Sequence, residues 1–159
     1  MPYFPRTTAL GAVIIAACLL GPAPSASLAT TRAALLQSSR APTVGEKRAI
    51  ERTVLTLARA LNHRRYRLAC NQYTPAVRAL FVLTAQRVLR QPSVHACAQA
   101  LAVIAKHQKF KAIPRPHFKR IRISGKVATV TIDETAASGR TMQGTATLMR
   151  GSHGWKVGA

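Results

Sequence analysis

Cations concentrated in one stretch of the chain are the residues of this sequence best suited to binding chemistry. Eight of them lie between residues 106 and 126 with no acid among them: Lys106, Lys109, Lys111, Arg115, Lys119, Arg120, Arg122 and Lys126. Arg120 and Arg122 alternate with isoleucines, so in a strand one face would be apolar and the other would present guanidinium groups, joined by Lys119 and Lys126 near the turn. The pattern predicts a polyanion site on that face; the competing interpretation is that the charge serves only solubility.

Acid–base, metal and nucleophilic chemistry are poorly supported by the residue types present. The acids number four: Glu46, Glu51, Asp133 and Glu134. Glu46 fits a helix cap, whereas Asp133 and Glu134 are neighbours on a strand, so their side chains point to opposite faces. The five histidines have no metal-ligand spacing, and no serine stands in a nucleophile-elbow motif. We therefore predict no catalytic residue, no metal site and no cofactor.

The first 29 residues have the pattern of a secretory signal peptide. A single cation, Arg6, precedes an apolar run from Ala9 to Gly21, which small residues follow. This run is shorter than the roughly 20 residues that span a bilayer, so we predict cleavage and an extracytoplasmic protein, secreted or associated with the envelope. In the alternative, residues 15–18 form a lipobox and a lipidated Cys18 becomes the mature N-terminus.

Cys70 and Cys97 are the cysteine pair outside the signal segment. In an oxidising compartment an even pair most simply forms a disulfide, and no Cys-x-x-Cys spacing supports a metal. Two buried free thiols are the alternative. The sequence predicts a Cys70–Cys97 bridge.

The composition fits one folded domain. Lys and Arg total 24 against four acids, a formal net charge of +20, yet 48% of the residues are hydrophobic. That fraction is too apolar for a disordered basic tail. We assign residues 1–29 to the signal peptide, 30–43 to a flexible lead-in and 44–159 to a single domain.

Helical spacing governs the first part of that domain. Four helices are predicted, over residues 44–62, 66–73, 75–91 and 94–107. Thr43 and Glu46 form a capping-box pattern at the first, Thr74 precedes a proline at the third, and Ser93 is predicted to cap the fourth. Alternation of β-branched residues then predicts strands over 118–124, 126–132 and 141–150 and a short last strand with Trp155 and Val157. Helices ahead of an antiparallel sheet of three to four strands predict an α+β fold.

Four features together resemble the nuclear transport factor 2-like superfamily, whose fold is the cystatin-like cone. They are the opening amphipathic helix from Ile50 to Leu61, the short helix with Cys70, the Thr74–Pro75 helix start and the closing Gly154-Trp155-Lys156-Val157. The chain is similar in particular to small exported or lipoprotein-type actinobacterial members. The resemblance covers about residues 44–157 and implies the fold alone, because members include isomerases, dehydratases, polyketide cyclases and plain binding modules.

The interior of such a cone is the second candidate site. Phe81, Val130, Leu148 and Trp155 would line a pocket for a small molecule or a peptide, unless they simply form the core. An isomerase- or cyclase-like enzyme is a further alternative that the resemblance leaves open.

These observations predict a non-catalytic exported binding or accessory domain at the cell envelope. The partner would be an anionic lipid surface or a phosphate-rich wall polymer. Nucleic acid is disfavoured, because no aromatic residue interleaves with the arginines of the basic face. A homodimer formed through the open sheet face is a further structural option.

Overall fold

Helices precede strands in the fold, which confirms the predicted α+β class. The computed structural model describes residues 39–108, 112–135 and 141–158, with the backbone alone for 134 and 135. Its helices are α1 (Val44–Asn62), α2 (Tyr66–Cys70), α3 (Pro75–Leu83), a π-helical turn (Thr84–Val88) and α4 (Cys97–His107). Its strands are β1 (His117–Ser124), β2 (Val127–Thr135), β3 (Thr141–Gly151) and β4 (Gly154–Val157). The strands form one antiparallel sheet in the order β1-β2-β3-β4.

The start of α1 forms as its sequence predicts. The Thr43 hydroxyl accepts a hydrogen bond from the Glu46 backbone N–H at 3.3 Å, and the Glu46 carboxylate accepts one from the Thr43 N–H at 2.9 Å. Both bonds satisfy N–H groups that have no partner within the helix. The apolar stripe of α1 then packs on the sheet, where the Thr53 hydroxyl also donates to the Trp155 carbonyl at 3.3 Å.

The start of α3 is confirmed as well. The Thr74 hydroxyl accepts from the Val77 N–H at 3.4 Å, and Pro75 occupies the first helical position. After Leu83 the helix widens into the π-helical turn, which the sequence did not indicate.

The predicted start of α4 is wrong. Ser93 does not cap the helix, which begins at Cys97 after a stretch of turns. Val94 is buried in a small cluster with Ala85 and Ala100, and the Gln86 Nε2 donates a hydrogen bond to the Val94 carbonyl at 2.7 Å. These tertiary contacts hold the segment outside helical geometry and override the local capping signal.

The main core lies between the helices and one face of the sheet. Its members include Ile50, Val54, Leu57, Leu101, Ile123, Ala128, Val130, Ile132, Ala146, Leu148, Trp155 and Val157. Along the strands these alternate with exposed polar residues, as expected for an antiparallel sheet with one solvated face. In the described part of the chain, no helix is long and apolar enough to cross a bilayer.

The disulfide between Cys70 and Cys97 is present. It joins the last residue of α2 to the first residue of α4, and the two helices pack side by side. The predicted bridge is therefore confirmed, and its physical effect is to fix the spacing of two helices that are far apart in sequence.

The end of the lead-in contacts the edge of the sheet. Arg40 and Ile123 exchange two backbone hydrogen bonds of 2.9 Å, so residue 40 extends the sheet beyond β1. Residue 40 lies within the predicted lead-in of residues 30–43. Paired structure therefore starts four residues before the predicted domain and covers part of the β1 edge.

Candidate anion-binding surfaces

Two rows of polar side chains cross the solvated face of the sheet. In the first, Arg120 on β1 lies opposite Thr131 on β2, which lies opposite Thr145 on β3. In the second, Arg122 lies opposite Thr129, which lies opposite Thr147. We call these six residues the Arg–Thr face. Both arginines are exposed, as are Thr129 and Thr145, so the face presents guanidinium and hydroxyl groups to solvent.

Lys119 does not join Arg120 and Arg122 in the predicted way. It lies at the opposite end of β1 from the turn, at an irregularity between Phe118 and Arg120, with its Nζ 3.0 Å from the Asp133 Oδ2. The hydrogen bond from Lys119 and a second one from Gln143 lower the pKa of Asp133. The Lys119 charge is thus compensated within the protein. Lys126 does lie in the β1–β2 turn and is exposed.

The two arginines of the face differ in their surroundings. The Arg122 Nη1 donates to the Ser39 hydroxyl at 3.2 Å, so the end of the lead-in reaches this guanidinium. Arg120 has neither an ion pair nor a side-chain hydrogen bond with any residue that the structure describes. Arg120 is therefore the cation of the face most available to a partner.

The remaining cations of the predicted basic stretch are only partly placed. Lys106 is exposed in the last turn of α4, and Arg115 is exposed ahead of β1. Lys109 and Lys111 lie outside the described residues.

The carboxylate of Glu46 is held by cations and a backbone N–H of the protein itself. Arg40 binds both of its carboxylate oxygens, at 2.7 and 2.8 Å, and the Arg150 Nη1 lies 3.3 Å from Oε1. The hydrogen bond from Arg40, followed by the one from the Thr43 backbone, lowers the pKa of Glu46 to about 2. A carboxylate with so low a pKa is a weak general base near neutral pH.

The other described acids also lie beside cations. The Lys47 Nζ is 3.9 Å from Glu51, one helical turn away, and Asp133 pairs with Lys119. The side chain of Glu134 lies outside what the structure describes. Within the described residues, no three His, Cys, Asp or Glu side chains cluster as a metal site would.

The residues predicted to line an interior pocket lie in the core. Val130 and Leu148 are fully buried and Trp155 is 5% exposed. Phe81 is partly buried, and its ring meets that of Tyr73 edge-on at a centroid distance of 5.0 Å. Burial raises the pKa of Tyr73 to about 12, which keeps this phenol neutral.

A groove between α2 and α4 is the site that sequence reasoning missed. It has a volume of about 570 Å³ and is lined by Arg64, Arg65, Tyr66, Arg67, Leu68, Ala98, Gln99 and Ala102. We call it the α2–α4 groove. The predicted Cys70–Cys97 bridge was the signal that could have found it, because that bond requires residues 66–70 to lie against the start of α4.

Comparisons with known proteins add no further identification. No protein-family model matches this chain, and no curated protein or solved structure matches it either.

Proposed function

We propose that this protein is a non-catalytic, exported accessory domain of the cell envelope that binds a linear, phosphate-rich polymer through the Arg–Thr face. The observation that carries the proposal is the strand register, which places each exposed arginine at the end of a row of two threonines. We also propose that the fold is the cystatin-like cone of the nuclear transport factor 2-like superfamily. Helices packed on one face of an antiparallel sheet agree with that fold.

The chemistry of the face suits phosphate groups. A guanidinium can donate two parallel hydrogen bonds to a phosphate, and these charge-assisted bonds are roughly twice as strong as neutral ones. Threonine hydroxyls add neutral donors along each row. Neighbouring strands lie about 4.8 Å apart, and the two rows are roughly 7 Å apart along the strands, so an extended polymer meets donors at short, regular intervals.

The charge distribution supports an external anionic partner. Glu46, Glu51 and Asp133 each lie beside a cation of the protein, so they do not neutralise Arg120 or Arg122. A disulfide between Cys70 and Cys97 is compatible with an extracytoplasmic location, where wall polymers occur.

A charge-matched pair of variants separates this site from general attraction by a basic protein. Arg120→Gln/Arg122→Gln removes two cations from the face, and Arg48→Gln/Arg52→Gln removes two exposed cations from α1. Binding of the oxidised, exported protein to linear polyphosphate is measured at about 0.15 M salt, where the Debye length of about 8 Å suppresses distant attraction. We expect the first variant to lose at least about tenfold in affinity, since one charge-assisted bond contributes about that factor.

The control variant should bind within about twofold of the unmodified protein. Equal losses of affinity in both variants would show that binding is non-specific attraction to a basic protein, and would refute the site. Vesicles with anionic headgroups, measured beside neutral ones, test the lipid alternative. A stronger dependence on Arg120 and Arg122 for vesicles than for polyphosphate would replace the polymer by a membrane surface.

A further inference from the structure

The α2–α4 groove combines an apolar floor with a cationic rim. Tyr66 and Leu68 of α2 and Ala98 and Ala102 of α4 supply the floor, and Leu68 is 46% exposed. Such exposure leaves apolar surface in contact with water, and a ligand that covers this surface gains from the hydrophobic effect. Its volume is about 570 Å³ and the groove is largely open to solvent, so it is a shallow surface groove along which an extended ligand would lie.

The rim of the groove consists of three exposed arginines, Arg64, Arg65 and Arg67. Among the residues that the structure describes, no carboxylate lines the groove and no acid forms an ion pair with any of the three. Glu46 and Asp133 pair with cations elsewhere in the fold. Three uncompensated guanidiniums beside an apolar floor are complementary to a ligand that is anionic at one end and apolar at the other.

The walls of the groove are fixed by covalent and hydrogen bonds. The Cys70–Cys97 disulfide joins α2 to α4 directly beside it. Arg64 has a φ of 55°, in the left-handed region that non-glycine residues seldom adopt, and backbone bonds to Leu61 and Ala60 hold the turn at Arg64 and Arg65. These two bonds form the Schellman motif that ends α1, and they fix the course of the chain into α2.

We infer that the α2–α4 groove binds a single-chain anionic amphiphile, with its phosphate or carboxylate headgroup on Arg64, Arg65 and Arg67 and its alkyl chain along the floor. A preformed site of this kind reduces the ordering cost of binding. The groove and the Arg–Thr face share no residue. The inference therefore goes beyond the proposed function and stands or falls independently of it.

Calorimetric titration of the oxidised protein tests the inference. The probe is dodecyl phosphate below its micelle concentration, compared with inorganic phosphate and with an uncharged dodecyl maltoside. We expect dodecyl phosphate to bind at least tenfold more tightly than either comparator, because only this probe uses both the rim and the floor. Inorganic phosphate that binds equally well would show a simple anion site and overturn the amphiphile.

Variants with matched controls locate the site. Leu68→Gln changes the floor and should weaken dodecyl phosphate binding at least fivefold. Val44→Gln changes an apolar residue on α1 that is more exposed, at 69% against 46%, and it should have no effect. Arg65→Gln/Arg67→Gln should lower affinity at least tenfold, and Arg48→Gln/Arg52→Gln less than twofold. The side chains replaced in these four variants are all exposed, so we expect each variant to fold.

Two outcomes would contradict the inference. In the first, dodecyl phosphate binds Leu68→Gln and Arg65→Gln/Arg67→Gln normally but no longer binds Arg120→Gln/Arg122→Gln. That result would place the amphiphile on the sheet. In the second, an acidic peptide such as oligoglutamate binds more tightly than dodecyl phosphate, and Leu68→Gln weakens binding of the peptide as well. That result would make the groove a peptide site. Loss of polyphosphate binding in the groove variants is not expected, which keeps the two proposals distinguishable.

Discussion

At the scale of single residues, Glu46 connects three separate parts of the chain. Its carboxylate binds Arg40 of the lead-in, Arg150 at the end of β3 and the Thr43 N–H at the start of α1. Arg150 also lies over the Trp155 ring, 5.8 Å from its centroid. Glu46 thus helps to seat the first helix and the lead-in against the sheet.

Replacement of this carboxylate should change how stability depends on pH. The pKa of Glu46 is about 2 in the folded protein against 4.5 for an unperturbed glutamate. Because the folded value is the lower one, its contribution is complete above about pH 4.5 and is lost as pH falls towards 2. Thermal unfolding between pH 2 and 7 should show a weaker acid dependence in Glu46→Gln. The same acid dependence in both proteins would contradict this role, and some dependence should persist because the pKa of Asp133 is also lowered.

The Thr74 cap provides a second test at this scale. Thr74→Ala removes the hydroxyl that accepts from the Val77 N–H and should lower the free energy of unfolding by about 1 kcal/mol. Urea denaturation measures the loss. Thr74→Ser keeps the hydroxyl and serves as the control, and an equal loss in both would show that the methyl group and not the cap is responsible.

At the scale of elements, the sequence predicted those features of helices and strands that depend on residues close together in the chain. The bounds of α1 follow from the Thr43 cap and one apolar stripe, and the alternation of Arg120 and Arg122 with isoleucines predicted which face of β1 is solvated. Non-local contacts decided the rest. Val94 is held by Gln86 and a buried cluster, so Ser93 does not cap α4. The Arg–Thr rows depend on strand register, which no single-strand pattern contains.

The groove was not predictable from periodicity for the same reason. Residues 64–68 and 98–102 are separate in sequence and meet because α2 packs on α4. The predicted pairing of Cys70 with Cys97 carried that information, because the bond places the end of α2 beside the start of α4. A predicted disulfide is therefore also a prediction about which surfaces adjoin.

The disulfide should stabilise both the fold and the groove. Its reduction opens a loop whose ends are 27 positions apart in sequence, and chain entropy predicts a loss of about 3.5 kcal/mol in the free energy of unfolding. Chemical denaturation with and without a reductant measures this loss. A Cys70→Ala/Cys97→Ala variant should match the reduced protein, and it should also bind dodecyl phosphate more weakly. Unchanged stability on reduction would contradict the structural role given to the bond.

At the scale of the whole molecule, charge imbalance is the dominant property. The full sequence carries 24 Lys and Arg against four acids. Repulsion among so many like charges destabilises the compact state and is screened by salt. The melting temperature should therefore rise between about 0.02 and 0.5 M sodium chloride. A melting temperature that falls with salt would mean that the few ion pairs outweigh the repulsion.

The central claim is that a defined face, and not the total charge, recognises a phosphate polymer. The most direct test is the slope of log affinity against log salt concentration for linear polyphosphate. Each phosphate contact made to a flexible polyanion contributes about 0.7 to that slope, so Arg120→Gln/Arg122→Gln should make it shallower by about 1.4. Arg48→Gln/Arg52→Gln should leave the slope unchanged. Equal slopes in the unmodified protein and in Arg120→Gln/Arg122→Gln would contradict the claim.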